Sequence, residues 1–513
     1  MDDKTTGSYY TPPELVNYMV QFIRNKFNVK SILEPSAGDG RFISALDDFH
    51  CPIHAIEIDN EKSDNLLEIE CNYLDVTCTD FIDYAIYHQE RYNLIIGNPP
   101  YITKKNLTED QRKTSIQLLD YFKLPHSLFQ NLWVSFILGS IKLLSPDGAI
   151  FFVLPFEFLQ VQYAEKLRNF LETKFNTIEI ITFEEKIFIQ IEQDVCLVYL
   201  RNENFGNPFI RYTTIKSVRE AQSTFESIIM RHKPLKKWSN CILNDVETET
   251  LESISLQYPQ IKEFGNISPG IVTGANNFFI TNRKNVDGLK VKEGYLKILS
   301  KSTDIANKLI FRDEDFELLF QNNKKVMLLN LNNIQEYTFS SELKKYLTYG
   351  EEKEINKRYK CSIRKRWYDV PIIRSGDVSF FKRYNIIPRI IINEAQVHTT
   401  DIAYNIRFDE KIDKESFAFC FYNSLTLVLC EYNGRFYGGG VGELVPNEFK
   451  DLHIPYKIVN KNHIIKLDSM FREKRNFIDI IDYVDGVVLD LSKGQKKILQ
   501  DIRNRYLRRR LKK

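Results

Sequence analysis

From Ser31 to about Leu200, short apolar runs alternate with longer stretches of mixed polarity, the pattern of a parallel sheet covered by helices. Strands are expected at Ser31–Glu34, Ile53–Ile58, Asn93–Gly97, Ala149–Leu154, Ile178–Thr182 and Val195–Leu200. Two longer stretches predict helices: Pro13–Phe27, which Pro12 and Pro13 would open, and Leu128–Leu144, ended by Ser145-Pro146-Asp147-Gly148. The second carries Leu128, Leu132, Phe136 and Leu143 on one side with apolar residues between, so it should be buried over much of its circumference. After Asn202 the periodicity breaks, and residues 206–249 read as a connection between domains. Further on the chain is rich in Asn, Lys, Tyr and Phe, with β-like runs such as Arg389–Asn393 and Leu425–Cys430. The expectation is an α/β domain over 1–205, a mixed α+β domain over 250–460 and a helical, basic segment over 461–513.

A chain of 513 residues exceeds what one core usually organises, which agrees with that division. The net charge of +2 gives no bulk argument for nucleic acid, so any phosphate-binding surface must come from local clusters. Two exist: Lys353–Arg374 holds eight Lys or Arg and Arg503–Lys513 holds seven, although a basic run is as readily a solvated face. The eight cysteines form no CxxC pair and no metal-ligand spacing with the histidines, so no metal site is expected and the thiols read as reduced and cytosolic. The polar start and the lack of a run of about 18 to 20 apolar residues predict no membrane span.

The chemistry begins where the first strand ends, in Glu34-Pro35-Ser36-Ala37-Gly38-Asp39-Gly40-Arg41-Phe42. Glycines let the backbone curl close to a ligand, and the following helix start offers free N–H groups. About 20 residues on, the second strand ends in Glu57-Ile58-Asp59, where an acid can accept both hydroxyls of a ribose. A dinucleotide fingerprint would read GxGxxG, but Ile43 stands at the third glycine, which favours a single nucleoside such as S-adenosylmethionine. Asp80-Phe81 offers a carboxylate for an adenine amine and a ring to pack on the base, or simply a helix cap and a core side chain. The strongest signal is Asn93–Tyr101, a buried strand that stops in the rigid turn Asn98-Pro99-Pro100-Tyr101. An aryl amine is a weak nucleophile because its lone pair is delocalised. The Asn98 side chain and Pro99 carbonyl, accepting both N–H groups, would favour a pyramidal nitrogen aimed at a methyl donor. No basic side chain or covalent intermediate is required.

With these motifs in this order the chain resembles the γ-type amino-methyltransferases of bacterial restriction-modification systems, TaqI-like and Eco57I-like. Thr6-Gly7-Ser8-Tyr9-Tyr10-Thr11-Pro12-Pro13 precedes EPSAGDGRF, AIEID, DF and NPPY, and the likeness extends over nearly the whole chain. The resemblance implies a Rossmann-like, S-adenosylmethionine-dependent domain that methylates adenine N6 in duplex DNA. It further implies a target-recognition domain and leaves a cognate restriction endonuclease as a candidate partner. On this basis Thr11, Glu34, Ala37, Gly38 and Gly40 would hold the methionine part of the cofactor. Glu57 would take the ribose, Ile58 and Phe81 would pack on the adenine, and Asp80 would bond its amine. Asn98, Pro99 and Pro100 would present the acceptors, and Tyr101 would stack on the flipped base through its ring rather than its hydroxyl. Phe188 matches a second aromatic contact with a spacing difference of about two residues. Gly270–Asn277 and Gly438–Leu444 look like target-recognition segments, making Arg364, Lys365 and Arg366 expected phosphate contacts of a protein that binds DNA as a monomer in the bacterial cytoplasm, on the nucleoid.

Three other readings compete. Methyltransferases of RNA or protein glutamine use a similar turn, but the long aromatic-rich second half is hard to explain for them. A cytosine-C5 enzyme needs a nucleophilic cysteine after proline, and none of the eight cysteines follows one. A non-catalytic DNA specificity subunit would not need an intact NPPY turn and cofactor loop.

Overall fold

The computed structural model describes residues 10–188, 194–202, 207–218, 227–291 and 294–512. The chain forms two units, Met1–Glu249 with Phe436–Gly440 and Leu507–Lys513, and Thr250–Arg435 with Val441–Tyr506.

The first unit is built on one nine-stranded sheet. Its strands are β1 (Ile32–Glu34), β2 (Ile53–Glu57), β3 (Leu74–Cys78), β4 (Tyr92–Gly97), β5 (Leu144–Pro155), β6 (Thr177–Phe183), β7 (Val195–Arg201), β8 (Phe209–Ile215) and β9 (Ser227–Arg231). They lie in the order β3-β2-β1-β4-β5-β7-β6-β8-β9. The first five run parallel, and β7 enters antiparallel between β5 and β6. All six residues of β4 are buried, which is why its sequence is a continuous apolar run and not an alternating one. Helix Pro13–Arg24, with proline at its start, buries Leu15, Val16, Met19, Val20 and Ile23 at helical spacing against the sheet's core cluster. Helix Trp133–Leu143 buries nine of its eleven residues, as its nearly continuous apolarity requires.

Residues 206–249 are not a plain connection. Within them β8 lies parallel to β6 and β9 antiparallel to β8, so the sheet continues through this segment. The polar residues that conceal β8 include Arg211, whose guanidinium meets the buried Glu179 at 3.2 Å. The basic C-terminus also has interior roles: Arg509 donates to Tyr212 Oη at 3.4 Å, Arg510 bonds the Gly440 carbonyl, and Lys512 pairs with Asp194 at 3.3 Å.

The second unit carries a five-stranded sheet in the order Gly265–Pro269, Ala403–Phe408, Val378–Phe381, Arg389–Asn393, Ile310–Phe311. Beside it a four-stranded sheet runs Ile280–Thr281, Met327–Leu329, Tyr295–Leu299, His398–Thr399. Leu425–Cys430, expected to be β-like, lies inside helix Ser424–Asn433. Asn423 caps that helix by accepting from Thr426 N at 2.9 Å, and every residue from Ser424 to Cys430 is buried, so no amphipathic period marks it. Residues 461–511 form three helices, Lys461–Arg472, Phe477–Val488 and Lys493–Leu511. Asp468, on helix Lys461–Arg472, accepts from Leu309 N and Ile310 N at 3.0 Å each and pairs with Arg312 and Arg472, stitching the helix into this unit.

Candidate active site

β2, β1 and β4 are neighbours, with Glu34 opposite Ala55 and Leu33 opposite Ile95, so the carboxyl ends bearing Glu34, Glu57 and Asn98 line up along one edge. After Glu34 the backbone turns tightly: Ala37 N donates to Ile56 O and Gly40 N to Ala37 O, both at 2.9 Å. Gly38 and Gly40 are left-handed, with φ of 60° and 75°. A Cβ at Gly40 would lie 2.2 Å from Ile69 Cδ1, so this position needs glycine on two counts.

Glu57 ties the turn to the second strand, its Oε2 accepting from Gly38 N at 2.8 Å and its Oε1 from Asp59 N at 3.0 Å. Glu34 is 1 % exposed, and its Oε2 has no hydrogen-bond partner among the described residues. Burial first, and then the nearby Asp39 and Glu57 carboxylates, push its pKa well above the ordinary glutamate value. Thr11 is buried, and its carbonyl accepts from Arg41, which also pairs with Asp39. Ile58, directly after Glu57, keeps 60 % of its surface exposed. Phe81 is 2 % exposed and packs on Phe136 at 4.8 Å, the position of a core side chain, which was the second of its two readings. Asp80 caps helix Phe81–Tyr87 by accepting from Ile82 N at 2.8 Å, and its Oδ2 accepts from Gln111 Nε2 at 3.0 Å.

Several neighbours of this site were not legible beforehand. Gln111 belongs to a Thr108–Gln111 capping box, a signature that announces a helix start but not a reach to Asp80. Tyr10 lies between cations, with Arg41 5.2 Å and Lys62 5.4 Å from its ring centroid. Residues 6–9 of the front motif lie outside the described residues.

At the end of β4 the Asn98 carbonyl accepts from Ser36 Oγ at 3.3 Å, joining the proline turn to the glycine turn. The Tyr101 hydroxyl lies 2.9 Å from Asn98 Oδ1 and 3.1 Å from the Val153 carbonyl, and can donate to either. Burial, with Cys196 and Glu157 adding to it, holds the phenol's pKa well above its ordinary value, so it stays a donor. The hydroxyl therefore lies against the Asn98 side chain, a contact that the emphasis on the ring did not include. Phe188 is buried in the extended apolar cluster against which Tyr101 also packs.

Known proteins with related sequences fit this arrangement. Residues 32–188 match the Eco57I restriction-modification methylase family, and residues 235–489 match the C-terminal domain of Type II methyltransferase M.Eco57I. The chain belongs to the Eco57I family of restriction-modification methylases. It is 26 % identical over 526 residues to Type II methyltransferase M.AccI of Acinetobacter calcoaceticus, covering 95 % of this chain and 94 % of that protein. It is 30 % identical over 204 residues to Type II methyltransferase M.HincII of Haemophilus influenzae, a match of 39 % of this chain and 38 % of that protein. The Type IIL restriction-modification enzyme MmeI, solved with DNA, shares the fold with a TM-score of 0.60 at 10 % identity over 97 % of this chain and 75 % of its own.

In this Eco57I-family methylase the expected phosphate contacts of the second unit divide. Arg364 donates to the carbonyls of Val272 at 3.2 Å and Thr273 at 2.7 Å, and Arg366 to those of Ile334 and Leu331 and to Asp369. Both guanidinium groups thus hold loops of the second unit, a role beside the phosphate contact expected of them. Lys365 alone of the three is exposed.

Proposed function

We propose that this methylase transfers the methyl group of S-adenosylmethionine to the N6 amine of an adenine swung out of duplex DNA. The observation that carries the reading is the Asn98–Tyr101 turn at the end of β4, directly beside the strand that ends in buried Glu34, whose Oε2 has no partner among the described residues. A lone buried carboxylate is costly, and a cationic amine such as the methionine ammonium would relieve that cost. Glu57 accepts two backbone bonds and keeps lone pairs for the ribose hydroxyls. Exposed Ile58 suits one face of the adenine, and Asp80 suits its amine. S-adenosylmethionine, when bound, supplies an electrophilic methyl group.

Asn98 Oδ1 and the Pro99 carbonyl would accept the two N–H groups of the target amine, orienting its lone pair and stabilising the positive charge that grows on nitrogen. Tyr101 would stack on the extruded base, offsetting part of the few kcal/mol lost on flipping. Enzymes that methylate a base paired inside a duplex flip it out of the stack as a class. The Type II methyltransferase relatives, and a second unit matching a methyltransferase C-terminal domain, support DNA rather than RNA or protein as the substrate.

The test is transfer of labelled methyl groups from S-adenosylmethionine to duplex DNA, RNA and a glutamine peptide offered in parallel. Label in the duplex alone is expected. Label in RNA or peptide alone would overturn the substrate assignment.

A further inference from the structure

In the second unit the segment Gly270–Asn277 is pinned to the turn that follows His398–Thr399. Gly270 N donates to Ala403 O at 3.0 Å and Ile271 N to Thr399 O at 2.7 Å. A Cβ at Gly270 would lie 2.1 Å from Thr400 O, and at Gly274 (φ 81°) 2.8 Å from Lys360 Cβ, so both glycines are demanded by close approach. Two further segments reach the same turn. Tyr295–Leu299 pairs in parallel with His398–Thr399 and delivers Ser300–Thr303, while Lys382 N donates to Ile402 O at 3.0 Å and brings Lys382 and Arg383.

The result is a pair of open cavities of about 310 and 400 Å³ that both include Asp401 in their walls. The first is lined by the Thr273–Asn277 loop and Arg358, the second by Lys301, Lys382 and Arg383. Both sequence segments singled out in the second half support it. Arg364 clamps the first loop through its carbonyls, and Glu443, from Gly438–Leu444, pairs with Arg383 at 3.3 Å and Lys382 at 4.0 Å. The groove is therefore cationic with one exposed acid at its centre. Asp401, Arg358 and Asn277 are exposed, and their side chains make no hydrogen bond or ion pair among the described residues. An acid among cations repels phosphate, so its place is opposite a donor rather than along a DNA backbone.

We propose that this groove takes base edges in the DNA major groove and that Arg358 and Asp401 set which bases are accepted. Arg358 bonds guanine O6 and N7, and Asp401 accepts from an exocyclic amine, cytosine N4 or adenine N6. Lys301 and Arg383 contact flanking phosphates. This rests on the reading of the chain as a sequence-specific DNA methyltransferase.

The experiment expresses the wild type, Arg358→Ala and Asp401→Ala in a host without adenine methylation and maps methylated sites by single-molecule sequencing. Purified variants are checked for wild-type melting temperatures, as exposed positions should give. Each variant should methylate a motif relaxed at one position, a different position for each, with discrimination there reduced about ten- to hundredfold. A guanine at the position relaxed in Arg358→Ala, and cytosine or adenine at the one relaxed in Asp401→Ala, supports the assignment and names the base. An unchanged motif with methylation lowered equally at every site would overturn the base-reading role while leaving the methyltransferase reading intact. No methylation by the wild type, in the host or with purified protein, would overturn both.

Discussion

Replacing Glu34 with glutamine should separate stability from function. The carboxylate is 1 % exposed with one oxygen unpartnered, and burial, then Asp39 and Glu57, raise its pKa. The folded chain therefore holds this proton more tightly than the unfolded chain, whose glutamates titrate near pH 4.3. Without cofactor, the stability linked to Glu34 is fully present below that pH and is lost as pH rises through the raised folded value. Each pH unit between the two values is worth about 1.4 kcal/mol. Glu34→Gln cannot titrate, so its stability relative to wild type should climb across the window and level off above it. Cofactor binding should move oppositely. Loss of a charge-assisted hydrogen bond costs roughly 1.5–3 kcal/mol, or about ten- to hundredfold in Kd. Wild-type affinity should also increase with pH up to the raised value, because the carboxylate form binds the ammonium, and this dependence should be weaker in the variant. Thermal melts over a pH series and titration calorimetry with S-adenosylmethionine measure both. A variant that loses stability relative to wild type as pH rises, or binds cofactor as tightly, would refute the reasoning.

Asn98→Ala should lower single-turnover rates by about 10²–10³-fold while cofactor affinity stays within tenfold, because the lost acceptor acts on the reacting amine; a wild-type rate would remove Asn98 from the mechanism. Tyr101→Phe keeps the ring but loses the hydroxyl beside Asn98 Oδ1, so its rate should drop about tenfold, with fluorescence of 2-aminopurine at the target site still reporting flipping. Tyr101→Ala should lose more, chiefly in binding to fully paired duplex; equal rates for wild type and both variants would discard stacking and hydroxyl together. Lys365→Ala should weaken binding to all sequences alike and make the salt dependence shallower by about one, whereas Arg366→Ala should lower the melting temperature, since it strips bonds from two loop carbonyls and Asp369. The reverse pattern in gel shifts and melts would make Arg366, and not Lys365, the phosphate contact.

The central strands were legible because a parallel sheet buried on both faces writes unbroken apolar runs, and the turns after β1 and β4 because glycine and proline constrain the backbone directly. Helix Ser424–Asn433 was misread for the same reason that β4 was readable. Once a segment is buried all round, an apolar run carries no period to tell strand from helix. β8 was missed because Arg211, Thr213 and Thr214 interrupt its apolarity. At the site, Phe81 was assigned a ligand face that sequence cannot distinguish from a core face. The roles of Arg364 and Arg366 depend on carbonyls of Val272, Thr273, Leu331 and Ile334, partners distant in sequence that only the fold brings near. Charge in a sequence says that a counter-partner is needed, not whether it is phosphate or backbone.

The most direct measurement is the identity of the modified base. Duplex DNA incubated with the purified protein and isotopically labelled S-adenosylmethionine, digested to nucleosides and separated by mass, should yield label in N6-methyladenine, and Asn98→Ala should reduce it by two orders of magnitude or more. Label in a methylated cytosine, or label undiminished in the Asn98 variant, would contradict the account.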